Sequence, residues 1–377
     1  MSAPRIAFGI TTGVGAASYF RGLFSHLRSD GFMVTFLAQD EAGAREFAVG
    51  EGADFIPIVA ERNPHLFKDV YTLAQLYREL KRGKFDIAVW GTPKVGLLGC
   101  IASRASRTRS VYVIHGLRYQ GAEGVSRRVL QSLEKITIAL ANEVVAVGAE
   151  IAECVVSDRV AKTPPRLIWN GSANGVEAPD AVDREGAKQL LGVADAAFVV
   201  GFVGRVTGDK GILELLTAWR GFSRDKPDAL LVVAGAREPD SYRGELASEI
   251  GSAQQVHWLG HYENPTDVYS AIDVLVLPSK REGLPAVVME ASAHGKPVIT
   301  SNRPGVGEAV IDSVTGFVVD CGVSESLVAR LNQLYGDGKL TERLGDNGRK
   351  HILRRYDRRV LHAKWSEFLK SAVEHSS

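Results

Sequence analysis

Short runs of apolar residues recur along the chain and alternate with segments whose apolar positions lie three or four residues apart. Such runs are typical of strands buried on both faces of a parallel sheet, and the wider spacing predicts amphipathic helices. In the first half the pattern predicts strands at 5–10, 33–38, 55–59, 85–90, 111–114 and 143–147, a helix ending near 27, and helices at 69–82, 94–106, 126–141 and 149–156. In the second half it predicts strands at 197–203, 229–235, 256–260, 273–278 and 316–319, and helices at 212–222, 286–294 and 358–372. This alternation indicates doubly wound α/β domains.

The alternation stops once, near the middle of the chain. Ala178-Pro179-Asp180-Ala181 interrupts it, and the polar residues 183–191 predict a helix in the hinge. A chain of 377 residues is longer than one core usually holds. We therefore expect domains at 1–178 and 190–355, followed by a closing segment at 356–377.

Composition excludes several classes of protein. Apolar residues make up 45% and charged residues 24% of the chain, as in soluble globular proteins, and the net charge of +1 gives no overall attraction to nucleic acid or membranes. No apolar run reaches the roughly 18 residues of a membrane helix, and no secretion signal precedes the first strand. The three cysteines, Cys100, Cys154 and Cys321, lack metal-ligand spacing, and each is expected to be a small apolar residue. The expected location is the cytoplasm.

Two glutamates frame the helix that follows the apolar run 273–278. Glu282 lies with Gly283 on the loop that leaves the strand, and Glu290 lies within the helix. Ligands of open α/β sheets bind at this edge, where a glycine lets backbone approach and the amides of Leu284-Pro285-Ala286 point at the ligand. Two carboxylates so placed suit sugar and ribose hydroxyls, although acids also complement the helix dipole without any ligand.

A basic, glycine-rich loop follows the strand 197–203. Gly204-Arg205-Val206-Thr207-Gly208-Asp209-Lys210-Gly211 places Arg205 and Lys210 five residues apart. Arg can bind two phosphate oxygens at once and Lys acts as a mobile point charge, so the pair suits a diphosphate whose charge grows as it leaves. The loop lacks Walker spacing. A plain basic turn is the alternative interpretation.

The first half offers two further candidates. Gly13-Val14-Gly15 follows the first strand and could admit an anionic group, but it lacks the dinucleotide fingerprint and could equally be a tight turn. His115 ends the strand 111–114, where its side chain opens on the ligand edge of the sheet. A lone histidine is more often structural than functional.

The loops of the second half match a known family. The Arg205/Lys210-Gly211 pair and the run Pro278-Ser279-x-x-Glu282-Gly283-Leu284-Pro285, continued by Glu290-Ala291 and Gly295-x-Pro297, closely resemble the donor motifs of family 4 retaining glycosyltransferases. The resemblance implies the GT-B fold, with two doubly wound Rossmann-like domains facing a central cleft. It also implies that the closing helix returns to the first domain.

The same resemblance assigns roles to individual residues. It implies that Arg205 and Lys210 hold the donor diphosphate, that Glu290 binds the ribose, and that Glu282 orients the sugar with the amides of 283–286. The loop Gly13-Val14-Gly15 would face the diphosphate, and His115 would contact the sugar or its phosphate. Backbone groups at Trp258 and Leu259 would hold the nucleobase. The family mechanism is a same-face displacement in which the leaving phosphate accepts the proton of the acceptor.

A narrower resemblance concerns the acceptor. His115-Gly116-Leu117-Arg118-Tyr119, Arg127-Arg128-Val129-Leu130 and Asn170-Gly171-Ser172 are similar to the branch that extends polyprenyl-diphosphate-linked sugars for bacterial capsule, O-antigen or exopolysaccharide. Glu177 departs from the Asp that is more usual after Asn-Gly-Val. This branch implies a lipid-linked saccharide acceptor, and we expect a UDP-sugar as donor.

Basic residues are in excess between Lys81 and Lys135. Eleven Lys or Arg residues stand against three acids in this segment. Such an excess suggests an anionic binding partner. This partner could be the headgroup layer of the inner leaflet, which would make the protein peripheral on the membrane, or the pyrophosphate of the acceptor. Alternatively, the basic residues form a solvated face that binds no partner. Nucleic acid is not expected, since no nucleic-acid motif is present. The candidate residues are Arg104, Arg107, Arg109, Arg118, Arg127 and Arg128.

The expected activity is therefore transfer of a sugar from a nucleotide-diphosphate donor to a lipid-linked acceptor. No cofactor is expected, and the absence of an Asp-x-Asp pair predicts that no metal is needed for the phosphates. Two alternatives stay open: a nucleotide-sugar epimerase of the same fold, which needs no acceptor, and a non-catalytic nucleotide-sugar-binding partner.

Overall fold

The chain folds into two compact units in this computed structural model, which describes residues 3–41, 43–61, 65–180, 183–236, 254–262 and 265–374. Unit 1 comprises Met1–Gly175 together with Arg358–Ser377, and unit 2 comprises Val176–Asp357. No helix within these described ranges is both long and apolar enough to cross a membrane.

Unit 1 is built on a parallel sheet in the order β3-β2-β1-β4-β5-β6-β7. Its strands are β1 (Arg5–Thr12), β2 (Met33–Gln39), β3 (Asp54–Pro57), β4 (Ile87–Gly91), β5 (Arg109–Ile114), β6 (Glu143–Ala146) and β7 (Arg166–Leu167). The helices between them are α1 (Ala16–Phe20), α2 (Leu23–Ser29), α3 (Ala44–Gly50), α4 (Leu66–Gly83), α5 (Pro93–Ser106), α6 (Gly124–Leu140) and α7 (Ala149–Ser157). The two-residue strand β7 carries no run of apolar residues, and the sequence pattern did not predict it.

The first helix is shorter than the sequence pattern predicts. A single helix ending near 27 was expected, but Gly22 lies between α1 and α2 with a φ of 78°. Its N–H donates to Glu51 Oε1 at 2.7 Å, and the N–H of Ser25 donates to Glu51 Oε2 at 3.2 Å. Because Gly22 accepts a left-handed conformation and Glu51 captures the released N–H groups, the helix breaks there.

Unit 2 is built on a second parallel sheet, in the order β10-β9-β8-β11-β12-β13. Its strands are β8 (Phe198–Val203), β9 (Ala229–Ala234), β10 (Val256–Gly260), β11 (Val274–Leu277), β12 (Val298–Ser301) and β13 (Gly316–Val319). Its described helices are α8 (Arg184–Leu190), α9 (Ile212–Ser223), α10 (Pro265–Ala271), α11 (Ala286–Ala293), α12 (Ser324–Gly336) and α13 (Gly338–Arg355). The strands β8, β11 and β12 are buried along their whole length, which explains the absence of polar residues from β8 and β11.

The polar segment expected in the hinge belongs to unit 2. Arg184 Nη2 lies 2.5 Å from Asp273 Oδ1, and Lys188 Nζ donates to the carbonyl of Ala196 at 2.6 Å. These contacts fix α8 on its own unit. The boundaries therefore fall at 175/176 and 357/358, instead of 178, 190 and 356. Of the expected hinge sequence, Ala181 lies outside the described residues.

The last helix, α14 (Arg358–Glu374), packs on unit 1. Leu361, Trp365 and Leu369 are buried, and Lys370 Nζ lies 3.0 Å from Asp30 Oδ2. His362 Nε2 is 2.8 Å from Asn174 Oδ1. Apolar burial and polar contacts together anchor the C-terminal helix on the unit that contains the N-terminal strand.

Each sheet has one point at which the chain reverses its direction of winding. In unit 1 this point lies between β1 and β4, and in unit 2 it lies between β8 and β11. Loops from the carboxyl ends of two adjacent strands diverge there and leave a crevice in which ligands of open α/β sheets bind. The loop 204–211 follows β8 and the loop 278–285 follows β11, so the two donor motifs occupy this point of unit 2.

The close approach of these two loops predicts a specific intolerance at Gly211. Gly211 and Gly295 have nearly the same φ, 74° and 73°, but a Cβ at Gly211 would lie 2.1 Å from the Pro278 carbonyl oxygen, whereas at Gly295 it would meet open space. Gly295→Ala should cost only the left-handed conformation, about 1 kcal/mol. Gly211→Ala should cost roughly 2 kcal/mol more, because the clash is with backbone. Urea unfolding of the two variants checks this, and equal losses would contradict it.

Candidate active site

Lys210 and Glu282 meet at the winding reversal of unit 2. Lys210 Nζ forms an ion pair with Glu282 Oε1, although the two residues are 72 positions apart. Ser279 Oγ donates to the same carboxylate oxygen at 3.0 Å. The two side chains are only 16% and 13% exposed, so each charge is neutralised by the other in a poorly hydrated place. The structure thus brings together two residues that the sequence placed in separate motifs.

A second ion pair joins the same two loops. Arg281 Nη2 lies 2.9 Å from Asp209 Oδ2, and the N–H of Lys280 donates to the Asp209 carbonyl at 2.8 Å. The Thr207 hydroxyl donates to the other Asp209 oxygen. Asp209 thereby connects the loop after β8 to the loop after β11 through both side chain and backbone. The sequence interpretation missed this role, because Asp209 and Arg281 are as far apart in the chain as Lys210 and Glu282.

The charge on Asp209 is stabilised by its surroundings. Partial burial acts to raise the pKa of its carboxyl group, but the Thr207 hydrogen bond and the positive charges of Arg281, Arg205 and Lys210 outweigh burial and lower that pKa. Arg205 itself is exposed, so it can move toward an incoming anion. The loop therefore offers basic groups held close to a carboxylate whose ionised form they stabilise.

Glu290 occupies a separate position on α11. The hydroxyl of Tyr269 donates to its Oε2 at 2.7 Å. Burial, together with the negative charge of Glu290, raises the pKa of Tyr269 well above its ordinary value, so the phenol remains a donor. Within the described part of the chain, the other carboxylate oxygen of Glu290 accepts no hydrogen bond. A buried tyrosine thus orients the carboxylate and leaves one of its oxygens for a ligand hydroxyl.

The segment between the two glutamates contributes fewer amides than we expected. Pro285 has no N–H, so of the residues 283–286 only Gly283, Leu284 and Ala286 can donate. The side chain of Leu284 is buried. A Cβ at Gly305, on the loop after β12, would lie 2.1 Å from the Gly283 carbonyl oxygen, so this third loop packs directly on the glycine.

Trp258, near the end of β10, has its polar atom engaged within the unit. Its Nε1 donates to the carbonyl of Gly235 at 3.1 Å, and 37% of the residue is exposed. The indole is therefore fixed beside the end of β9 with part of its surface outward. The neighbouring Leu259 is half-buried.

The glycines that follow β1 have packing reasons for their identity. A Cβ at Gly13 would lie 2.3 Å from the Cβ of Ala44 and 2.8 Å from the Glu41 carbonyl oxygen. A Cβ at Gly15 would approach the ring of Tyr19 to 3.1 Å. The side chain of Val14 lies outside the described residues. Close packing against α3 explains Gly13 without a ligand, and the predicted contact of this loop with the diphosphate stays a prediction.

His115 lies at the carboxyl end of β5 in an uncharged environment. Its ring stacks on Tyr19 with centroids 4.2 Å apart, and a Cβ at Gly91 would come within 2.9 Å of its Nε2. Both ring nitrogens are buried, with no hydrogen-bond partner among the described residues. Burial lowers the pKa of His115 to about 4, so the imidazole is neutral at pH 7. A neutral ring suits a hydroxyl better than a phosphate.

The sequence interpretation also missed Thr92, at the winding reversal of unit 1. Thr92 has a φ of 63°, which is rare for a β-branched residue. Its hydroxyl oxygen accepts from the N–H of Thr11 at 3.1 Å and lies 2.7 Å from Thr11 Oγ1. These contacts join the ends of β1 and β4. The available signal was Gly91-Thr92-Pro93 directly after a predicted strand.

The six basic candidates of unit 1 do not form one patch. Arg104 and Arg107 lie at the end of α5 and Arg109 begins β5, so all three are at the amino edge of the sheet. Arg118, Arg127 and Arg128 follow β5 and lie toward the carboxyl edge. The sequence cannot show this separation, because the chain crosses from one edge to the other within α5 and β5. Two of the six are also engaged: Arg109 with Glu143 at 3.1 Å and Arg127 with Asp158 at 3.7 Å.

Two doubly wound parallel units, the second with paired cationic and carboxylate loops at its winding reversal, define the GT-B architecture. The family model for glycosyl transferases group 1 matches residues 183–351, and the glycosyl transferase 4-like model matches residues 14–171. The chain belongs to the family 4 glycosyltransferases, which confirms the family and the fold expected from the sequence motifs.

Known relatives agree with this placement. The chain is 28% identical over 374 residues to the capsular polysaccharide biosynthesis glycosyltransferase CapM of Staphylococcus aureus, covering 97% of this chain and 98% of the relative. It is 27% identical over 307 residues to the UDP-Gal:alpha-D-GlcNAc-diphosphoundecaprenol alpha-1,3-galactosyltransferase of Escherichia coli, covering 80% and 79%. The Anabaena Alr3699/HepE structure with UDP and glucose superposes with a TM-score of 0.82 at 20% identity, covering 98% of this chain and 100% of that chain.

The Asp209–Arg281 pair predicts a coupled effect on donor binding. Asp209→Ala and Arg281→Ala should each weaken UDP binding about tenfold, because each releases one loop from the other. The double variant should be no weaker than either single variant, since all three lose the same connection. Calorimetry measures the affinities, and Lys364→Ala, which removes an exposed ion pair on α14, is the control. Strictly additive losses would contradict the connection.

The environment of His115 predicts that it does not titrate near neutral pH. Because burial lowers its pKa to about 4, its imidazole resonances should stay in the neutral position as pH falls from 8 to 5. The unfolded chain takes up the proton near pH 6.5, so this buried ring should reduce stability by about 2 kcal/mol at pH 5 relative to pH 7.5. NMR of labelled histidines checks whether His115 titrates. The protein has nine histidines, so the His115→Gln variant identifies the signal of His115. A midpoint near 6.5 would contradict the description.

Proposed function

We propose that this chain is a retaining glycosyltransferase that moves a sugar from a UDP-sugar to a hydroxyl of a lipid-linked saccharide during synthesis of a cell-surface polysaccharide. The observation that carries the proposal is the meeting of Lys210 and Glu282 at the winding reversal of unit 2. The choice of donor and acceptor follows the name of the Escherichia coli relative, which transfers galactose from UDP-Gal to a diphosphoundecaprenol-linked sugar.

The ion pair suggests how the donor enters. Without a donor, Lys210 is held by Glu282. A diphosphate brings more negative charge than one carboxylate and would draw the Lys210 ammonium toward it, with Arg205 joining from its exposed position. Glu282 would then keep its hydrogen bond from Ser279 and have oxygens available for sugar hydroxyls. Glu290, oriented by Tyr269, would bind the ribose. Donor binding thus exchanges the Lys210–Glu282 ion pair for a Lys210–diphosphate ion pair, and hydrogen bonds from Ser279 and the sugar hydroxyls would replace the contact of Glu282 with Lys210.

The same residues account for the reaction. As the bond between the anomeric carbon and the phosphate oxygen breaks, negative charge grows on the diphosphate, and the Lys210 and Arg205 cations stabilise it. The acceptor hydroxyl attacks from the face that the diphosphate leaves, its proton passes to the departing phosphate oxygen, and the anomeric configuration is retained. This route needs no separate general base and no metal at the phosphates.

Unit 1 would receive the acceptor. The neutral imidazole of His115 can exchange hydrogen bonds with a sugar hydroxyl without the cost of a buried charge. Arg118 and Arg128, both exposed and toward the carboxyl edge of the sheet, suit the pyrophosphate of the acceptor or the headgroups around it. We accordingly place the protein in the cytoplasm, peripheral on the inner face of the membrane.

Nucleotide binding tests the donor site. Calorimetry with UDP, GDP, ADP and CMP should show a preference for UDP that Lys210→Ala weakens at least about tenfold. Lys280→Ala is the matched control, because Lys280 lies on the facing loop 278–285 and pairs with Glu214 at 2.7 Å. This variant should bind UDP nearly as the wild type does. No binding of any nucleotide by the folded protein would sink the donor assignment.

Turnover tests the reaction itself. With a UDP-sugar and a polyprenyl-diphosphate-linked acceptor, Lys210→Ala should reduce kcat by about 10²–10³-fold, because the leaving diphosphate loses its main counter-charge. The product should keep the anomeric configuration of the donor, as read by NMR. An inverted product, or isomerised sugar from donor alone, would replace the proposal with an inverting enzyme or an epimerase.

A further inference from the structure

The helix α6 has apolar side chains on two of its faces. Leu130, Ile138 and Leu140 are partly buried and pack against the core of unit 1, whereas a second set of apolar residues faces outward. Val125, Val129, Leu133 and Ile136 are 75%, 51%, 40% and 48% exposed. The fully buried residues of the helix are Glu134 and Thr137. A surface helix of a globular domain normally turns polar residues to water, so this second, exposed apolar face needs an explanation.

The four exposed residues form one continuous stripe. Their spacing of four, four and three residues places them within about 80° of one another around the helix axis. The buried Glu134 lies on the far side of the helix. We call Val125, Val129, Leu133 and Ile136 the α6 stripe. It spans three turns of the helix, so it is a continuous surface and not one isolated exposed residue.

The orientation of α6 is fixed from within. The hydroxyl of Tyr112 on β5 donates to Glu134 Oε1 at 2.9 Å, and both residues are buried. Turning the stripe toward the sheet would break this hydrogen bond and remove Leu130 and Ile138 from the core. The stripe therefore faces outward because contacts within the folded unit fix the helix, and not because the helix is loosely attached.

Charge along the helix restricts what the stripe can meet. Arg128 and Lys135, two turns apart, are exposed along one flank of the stripe. Glu134 is the single acidic residue of α6 and is buried, so the exposed surface of the helix carries only positive charge. Arg127 points the other way, toward Asp158. An apolar stripe with a basic flank suits the interface of an anionic bilayer.

A second apolar surface lies in the same helical layer. The first turns of α4 expose Leu66, Phe67, Val70 and Tyr71 by 76%, 81%, 59% and 52%. Helices α4 and α6 both pack against α5. All three begin at the carboxyl edge of the sheet, because each follows a strand of the parallel sheet. Lys94 at the start of α5 lies 2.5 Å from Asp69 at the start of α4, which holds these two starts together.

We propose that the α6 stripe, together with the exposed start of α4, is the surface by which this chain binds a bilayer that contains anionic lipids. The proposal extends the proposed function, because a lipid-linked acceptor is presented at such an interface. A second copy of the chain fits less well. Two stripes facing each other would bring Arg128 and Lys135 against their own copies, and α6 exposes no carboxylate to neutralise them.

Vesicle sedimentation of the full chain tests the proposal. The wild type should bind vesicles of phosphatidylcholine with phosphatidylglycerol and bind pure phosphatidylcholine at least about tenfold less. Val129→Ser with Leu133→Ser should weaken binding to the mixed vesicles about tenfold, and Arg128→Gln with Lys135→Gln should remove the preference for anionic lipid. Val49→Ser with Leu190→Ser, which alters aliphatic residues 66% and 67% exposed elsewhere, is the control and should bind as the wild type does.

The outcomes separate this proposal from the donor site. The stripe variants should bind UDP with wild-type affinity, which also shows that they fold. Vesicle binding without UDP binding would support the surface and overturn the proposed transferase. Vesicle binding unchanged in the stripe variants would overturn the surface. So would self-association of the wild type in sedimentation velocity that disappears in the stripe variants without any vesicle binding.

Discussion

Everything proposed for unit 2 depends on the backbone contact between the loop after β8 and the loop after β11. Gly211 lies against the Pro278 carbonyl, and only the absence of a side chain permits that approach. With the backbones in contact, Lys210 reaches Glu282 and Asp209 reaches Arg281. Adjacent parallel strands end at one edge, so the sheet supplies the proximity and the glycine supplies the final fit. The charged groups are then already in position before a ligand binds, and a site for a diphosphate requires such preorganisation.

The two units treat charge in opposite ways. In unit 2, cations and carboxylates neutralise one another and stay ionised, as the lowered pKa of Asp209 shows. At the corresponding edge of unit 1, burial keeps His115 neutral and the Thr11 and Thr92 hydroxyls face each other. Ionised groups suit a ligand that arrives with charge and leaves with more of it. Neutral hydrogen-bonding groups suit a hydroxyl, whose desolvation costs far less than that of a phosphate. This contrast supports placing the donor on unit 2 and the acceptor hydroxyl on unit 1.

The sequence predicted the fold well because buried parallel strands have an unambiguous pattern. Val274–Leu277 and Phe198–Val203 are apolar throughout, and the glycine-rich loops after them mark their carboxyl ends. The sequence pattern did not predict contacts between segments that are distant along the chain. The pattern does not indicate that Asp209 pairs with Arg281. A count of basic residues likewise does not show that Arg104 and Arg128 lie toward opposite edges of a sheet. Local conformation was also mispredicted at Gly22, where a distant carboxylate, Glu51, favours a break that helix propensity alone does not require.

The orientation of α6 shows the same limit most clearly. Its sequence has apolar residues on two faces, Leu130 and Ile138 on one and Val125, Val129, Leu133 and Ile136 on the other, and the pattern alone does not tell which faces the core. The hydrogen bond between Tyr112 and Glu134 accompanies the inward position of the first face, because a buried carboxylate needs a partner and the partner lies on the sheet. Burial raises the pKa of Glu134 to about 7, so this contact also persists with a protonated acid and does not require a full buried charge. A helix held in this way keeps an apolar stripe in the solvent, and contact with the apolar phase of a bilayer would offset the cost of that exposure.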